Sequence, residues 1–246
     1  MATASVTLPV RFFLLLMVVA FLPACAHVRV QNMKLDLERA LGSEWHGETL
    51  DFTLLSFKQK DPGEKFPLLF AIHGLGDSGA SYLEIWEEAA VDHRVMIVAP
   101  TRIRAFRHQE KDLLELQALV DVISNLYPVD SRRLWLAGVS SGTLVARSLM
   151  VKNPLKWTAV VFIATVQRRD WIKTVDEKLK FPPILYVHGH RDPQMPFEEI
   201  QAQVEILKRR GDTVGLMDFE DAAHEHRSEW NQGIFEWLEK QPRREV

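Results

Sequence analysis

The chain reads as an α/β protein, a mostly parallel sheet with helices on both faces. Three observations predict it. Short unbroken apolar runs recur from residue 52 to residue 219, and they are too short for helices. Stretches with apolar residues three and four apart lie between many of them. Chemically versatile side chains gather just after the runs, where sites form beyond the C-terminal ends of parallel strands.

The expected strands are "FTLLSF" (52–57), "PLLFAIH" (67–73), "VMIVAP" (95–100), "RLWLAGV" (133–139), "AVVFIAT" (159–165), "PILYVHG" (183–189) and "VGLMDF" (214–219). Continuous Val, Ile, Leu and Phe suit strands buried on both faces. The helices follow from periodicity. Leu113, Leu116, Val120, Ile123 and Tyr127 share one face of 111–127. Leu144, Ala146, Leu149 and Met150 lie in a helical run over 141–152. Ile200, Val204 and Leu207 stripe 198–210, with Gly211 as its C-cap. Trp230, Ile234, Trp237 and Leu238 mark a last helix.

The N-terminus reads differently. Arg11 precedes "FFLLLMVVAFL" (12–22), too short to span a bilayer and suited to a signal-peptide core. "LPAC" (22–25) resembles a bacterial lipoprotein signal, with Cys25 as the lipidated mature N-terminus. "ACA" (24–26) also fits ordinary A-x-A cleavage, and an uncleaved anchor is a third reading. All three place the domain outside the cytoplasm or at a membrane. The division expected is a signal peptide over 1–26, a polar linker over 27–50 and one domain over 51–241. Cys25 is the single cysteine, so no internal disulfide forms. A net charge of −3 leaves no footprint for nucleic acid.

"AGVSSG" (137–142) contains G-x-S-x-G between an expected strand and an expected helix, with Ser140 in register. A strand-to-helix turn this tight crowds the residues on either side of the serine, and glycine has no Cβ to clash. A plain turn is the alternative. A nucleophilic serine needs a base, and the base needs an orienting acid. Asp192 follows the strand 183–189. His224 and His226 follow the strand 214–219. His224 is favoured because it lies mid-loop, whereas His226 borders the last helix between Glu225 and Arg227. Asp218 and Asp221 are rival acids, but their loop would have to bend back on itself. An oxyanion hole takes two backbone donors. Ser141 supplies one and Leu75, in "HGLGDSG" (73–79), the other. His73 is read as a brace for that loop. The loop has neither the lysine nor the spacing of a phosphate-binding loop.

Together "HGLGDSG", "AGVSSG", "HGHRDPQMP" (188–196) and "AAHEH" (222–226) resemble the carboxylesterase/phospholipase family of α/β hydrolases, which includes acyl-protein thioesterases. The resemblance spans about residues 50–240. It implies an α/β-hydrolase fold, Ser140 as nucleophile, Asp192 as acid, His224 as base, and Leu75 and Ser141 as oxyanion donors. It implies no cofactor. Two departures stand out: Ser141 and Thr143 occupy positions where relatives typically carry glutamine and glycine. The segment "TRIRAFRHQE" (101–110) is shorter than the usual substrate loop. "VQRRDWIKTVDEKLKFP" (166–182) leaves no room for a large lid, which points to accessible esters. Arg102, Arg104 and Arg107 lie at the same edge, either favouring anionic substrates or forming a solvated loop. Thioesterase or lysophospholipase activity on the same triad, or a non-catalytic envelope scaffold, are the alternatives. "HGHRD" also has the H-x-H-x-D spacing of some zinc hydrolases, with His188, His190, Asp192 and His224 as ligands. That reading leaves the elbow unexplained, so no metal is expected.

Overall fold

The structure is a computed structural model that describes residues 28–101 and 110–242. Cys25, the expected signal segment 1–26, and Arg102, Arg104 and Arg107 lie outside the described residues.

Strands β1 (Val28–Asp36), β2 (Thr49–Phe57), β3 (Phe66–Ile72), β4 (Met96–Pro100), β5 (Val129–Val139), β6 (Ala159–Ile163), β7 (Ile184–Gly189) and β8 (Val214–Phe219) form one sheet in the order β1-β2-β4-β3-β5-β6-β7-β8. β1 and β2 pair antiparallel, as do β2 and β4, and the remaining pairs are parallel. All residues of β3, β4, β6 and β7 are buried, as their unbroken apolar runs require.

The helices are α1 (Leu37–Leu41), α2 (Gly79–Asp92), α3 (Glu110–Leu126), α4 (Gly142–Lys152), α5 (Asp170–Lys173), α6 (Phe197–Arg209) and α7 (Asn231–Glu239). The chain leaves β3 through α2 to β4, then turns back through α3 to β5 on the other side of β3. Right-handed crossovers in opposite directions put α2 on one face and α3 with α4 on the other. α2 packs with α7, and α3 with α4, in agreement. Adjacent strands β3 and β5 therefore send their loops to opposite faces. The crevice between those loops is where such sheets bind ligands.

The linker expected over 27–50 is corrected. Residues 28–36 form β1, paired along its length with β2. Met33 and Leu35 are buried, and Thr53 Oγ1 donates to Asn32 Oδ1 at 2.7 Å. An antiparallel edge strand buries only one face, so its apolar residues alternate with polar ones and the segment is as polar as a linker.

Candidate active site

Three turns at the C-terminal end of the sheet build the site. The first follows β5. Ser140 has φ +52°, a left-handed conformation that costs a non-glycine residue on the order of 1–2 kcal/mol. Its surroundings hold it there. The Ser140 amide donates to Ile163 O at 2.9 Å, and the Ser140 carbonyl accepts from Thr143 N at 3.1 Å and Thr143 Oγ1 at 2.5 Å. A Cβ on Gly138 would sit 2.6 Å from Gly142 O and 2.8 Å from Thr143 N, which is the expected crowding across the turn. Gly142 has a different reason: its Cβ would collide with the carbonyls of Ile72 and His73 on the neighbouring strand.

The second turn follows β7 and carries Asp192, whose side chain is fully buried. Its Oδ1 accepts the amides of Gln194 (2.8 Å) and Met195 (3.1 Å). The third follows β8 and carries His224. His224 Nδ1 lies 2.7 Å from Asp192 Oδ2, and Nε2 lies 2.8 Å from Ser140 Oγ. The carboxylate accepts, so the proton sits on Nδ1 and leaves Nε2 free to accept from the serine hydroxyl. An imidazole so placed is the arrangement that activates a serine.

The rival residues are engaged elsewhere. Asp218 Oδ2 meets His190 Nε2 at 2.8 Å, and Asp221 pairs with Arg227 at 2.8 Å. His226 turns to Asn231 Oδ1 at 2.7 Å and packs edge-on to Trp86 and Tyr82. Desolvation pushes its pKa down to about 4. His190 turns away to Asp218 and Phe197, and His188 Nε2 is taken up by Met195 O, so the H-x-H-x-D residues and His224 do not form a metal-ligand set among the described residues.

Leu75 and Ser141 line the cleft with Ser140 and His224, in a hollow of about 650 Å³ that also meets Ile85, Val166 and Gln194. Neither the Leu75 nor the Ser141 amide donates to an acceptor among the described residues. His73 is buried, with its ring nitrogens at the carbonyls of Gly74 and Thr101, so it braces the loop. Gly76 has φ +84° and makes the turn. Gly74 lies close under the serine: a Cβ there would come 3.3 Å from Ser140 Cβ, a tight contact.

Sequence reasoning missed Gly189. A Cβ there would lie 2.5 Å from the Ala222 carbonyl carbon and 2.7 Å from Ala223 O. Its absence lets the His224 turn lie directly on the Asp192 turn, tied by His190 N to Phe219 O and Arg191 N to Ala222 O, both 2.9 Å. A glycine ending an otherwise bulky strand was the available signal.

The sequence profile of the phospholipase/carboxylesterase family matches residues 108–241, over half of the chain. The chain belongs to that family. Membership makes it a serine hydrolase of the esterase type. Its α/β-hydrolase fold is shared with a thermostable esterase (TM-score 0.68, 21% identity, covering 87% of this chain and 63% of that one). It is shared too with an S-formylglutathione hydrolase from Agrobacterium tumefaciens (TM-score 0.68, 16% identity, covering 94% and 99%). A third is the S-formylglutathione hydrolase FrmB from Staphylococcus aureus (TM-score 0.68, 14% identity, covering 87% and 98%). The chain thus spans less than two thirds of the thermostable esterase. No curated protein sequence matches it significantly. Among the described residues, α5 is the one helix between β6 and β7, and no large lid stands between those strands.

Proposed function

We propose that the protein hydrolyses carboxylic esters through a Ser140–His224–Asp192 triad and an acyl-enzyme. One observation carries the reading: two short hydrogen bonds link Ser140 Oγ to Asp192 through His224, and the serine sits in a strained left-handed turn. His224 Nε2 takes the hydroxyl proton as Ser140 Oγ bonds to the ester carbon. The carbonyl oxygen becomes an oxyanion within reach of the Leu75 and Ser141 amides, and each such donor is typically worth about 3 kcal/mol. Collapse breaks the bond to the leaving alcohol, which receives the proton from His224. Water then attacks the acyl-serine, giving its proton to His224, and the free acid leaves as Ser140 regains its hydrogen. Asp192 keeps the imidazole in one tautomer and stabilises the transient imidazolium.

The cleft is open and has no lid above it among the described residues, which favours small or surface-accessible ester substrates. Leu75, 80% exposed at the rim, offers apolar contact to an acyl chain. Export and a lipid tether at Cys25 complete the proposal on the "LPAC" pattern, and mass spectrometry of the mature N-terminus tests them. For the reaction, wild type and Ser140→Ala are assayed from residue 27 onward on p-nitrophenyl esters of increasing acyl length, with and without EDTA. Turnover by wild type, unaffected by chelator and lost in Ser140→Ala, is expected. Equal activity in the two proteins would overturn the assignment.

A further inference from the structure

The side chain of His188 plays no part in the steps above, yet it is 1% exposed at the end of β7 and faces the triad acid. Its Nε2 lies 2.9 Å from Met195 O. A carbonyl only accepts, so Nε2 carries the hydrogen. The same nitrogen is 3.5 Å from Asp192 Oδ2, too long for a full hydrogen bond but a close dipole–charge contact in a dry site. Met195 is therefore held at both ends. Its amide donates to Asp192 Oδ1, and its carbonyl accepts from His188. Around Asp192 this leaves two backbone donors on Oδ1, and His224 with His188 on Oδ2.

We propose that His188 is a positioning residue that sets the direction of Asp192 Oδ2 toward His224, an inference that rests on the triad reading above. The ring acts as a neutral donor. Its Nδ1 is buried with no hydrogen-bond partner among the described residues, and desolvation lowers its pKa. The charged and titratable groups facing it are Asp192, His224 and His190, the last paired with Asp218 on β8. A cation at His188 would cancel the charge of Asp192 and repel the imidazolium that forms on His224. A neutral N–H orients the carboxylate without either cost.

The test compares His188→Gln, His188→Asn and His188→Leu. The glutamine amide nitrogen reaches the place of the histidine Nε2, and that of asparagine stops short of it. Leucine offers no donor. Expected is a loss of roughly ten-fold in kcat for Asn and Leu, with KM held and recovery in Gln, as for a small misplacement of a reacting group. Losing the donor also leaves Asp192 more negative toward His224. The acid limb of the pH–rate profile then moves up in Asn and Leu, but not in Gln. NMR titration of the His224 ring reads the same shift without substrate, so it decides the matter even if esters are not turned over. Wild-type turnover lost in Ser140→Ala reports separately on the triad. If Leu fails to fold, the Gln and Asn pair still decides. Losses that track melting temperature in all variants, with His224 titrating unchanged, would overturn the proposal and leave His188 as packing alone.

Discussion

Asp192→Asn changes one atom and should reverse the hydrogen-bond logic of the site. Asp192 Oδ1 accepts two backbone amides, at 2.8 and 3.1 Å, so the amide oxygen of asparagine must stay there. The alternative orientation would set its NH₂ against two N–H groups at once. The NH₂ therefore faces His224 Nδ1 across the 2.7 Å now spanned by a hydrogen bond. Donor meets donor, and the imidazole shifts its proton to Nε2. Nε2 then presents a hydrogen to Ser140 Oγ at 2.8 Å, where it should accept one. General-base catalysis fails while the geometry survives. A wrong tautomer in such a triad lowers kcat about 10⁴-fold near neutral pH. Stopped-flow and steady-state assays on p-nitrophenyl acetate measure it, with urea denaturation as the check on folding. Asp218→Asn and Asp221→Asn are the controls, expected to stay within about two-fold because those carboxylates serve His190 and Arg227. A folded Asp192→Asn protein with more than a tenth of wild-type kcat would refute the tautomer argument.

Gly189→Ala should push the His224 turn back by roughly 1 Å, since ordinary carbon contacts lie near 3.5 Å and the added methyl would start at 2.5 Å from Ala222. On the order of 100-fold should be lost in kcat/KM, whereas Gly233→Ala, whose methyl meets only the end of Met217, should keep full activity. His226 titrates near 4 in the fold against 6.5 when free, so the unfolded chain binds the extra proton between those values. Stability should fall as pH drops from 6.5 to about 4, by about 2–3 kcal/mol from this ring, and urea midpoints in His226→Gln should fall less over that window. Starting the protein at Glu48 removes the buried Met33, Leu35, Leu37 and Trp45, on the order of 8 kcal/mol of apolar burial. Since that rivals the whole stability of a domain, gel filtration should find it unfolded or aggregated; a monomer with unchanged melting would restore the linker reading.

The site was legible where the chain had one chemical way to build it. G-x-S-x-G after a strand announces Ser140 because the backbone crowding there excludes most other residues. Asp192 and His224 were legible only through their places after strands. Their pairing is a contact between residues 32 apart in sequence, and nothing local encodes it. The choice between His224 and His226 followed from position in the loop. The structure adds a physical cause: Asn231 on α7 holds His226 by Nε2, and its own amide donates to Ile85 O, so the ring faces into an aromatic pocket. Neither His188 nor Gly189 stood out for its part in the site, because one acts through a carbonyl and the other through what it lacks.

The same distinction explains the fold. Strands buried on both faces write themselves as continuous apolar runs, and the seven expected ones are all present. β1 buries one face over half its length, so its sequence is as polar as a linker's. Its pairing is decided by β2, which would otherwise be an open edge with a row of unpaired amides. Stability and catalysis thus draw on different parts of the sequence. Bulk apolar runs fix where strands lie, whereas close backbone approaches at Gly138, Gly142 and Gly189 fix how near the turns come. A methyl group at any of the three meets backbone rather than a flexible side chain, so the neighbours cannot yield cheaply. The hydrogen bonds of 2.7 and 2.8 Å through His224 depend on that nearness, which apolar burial alone does not specify.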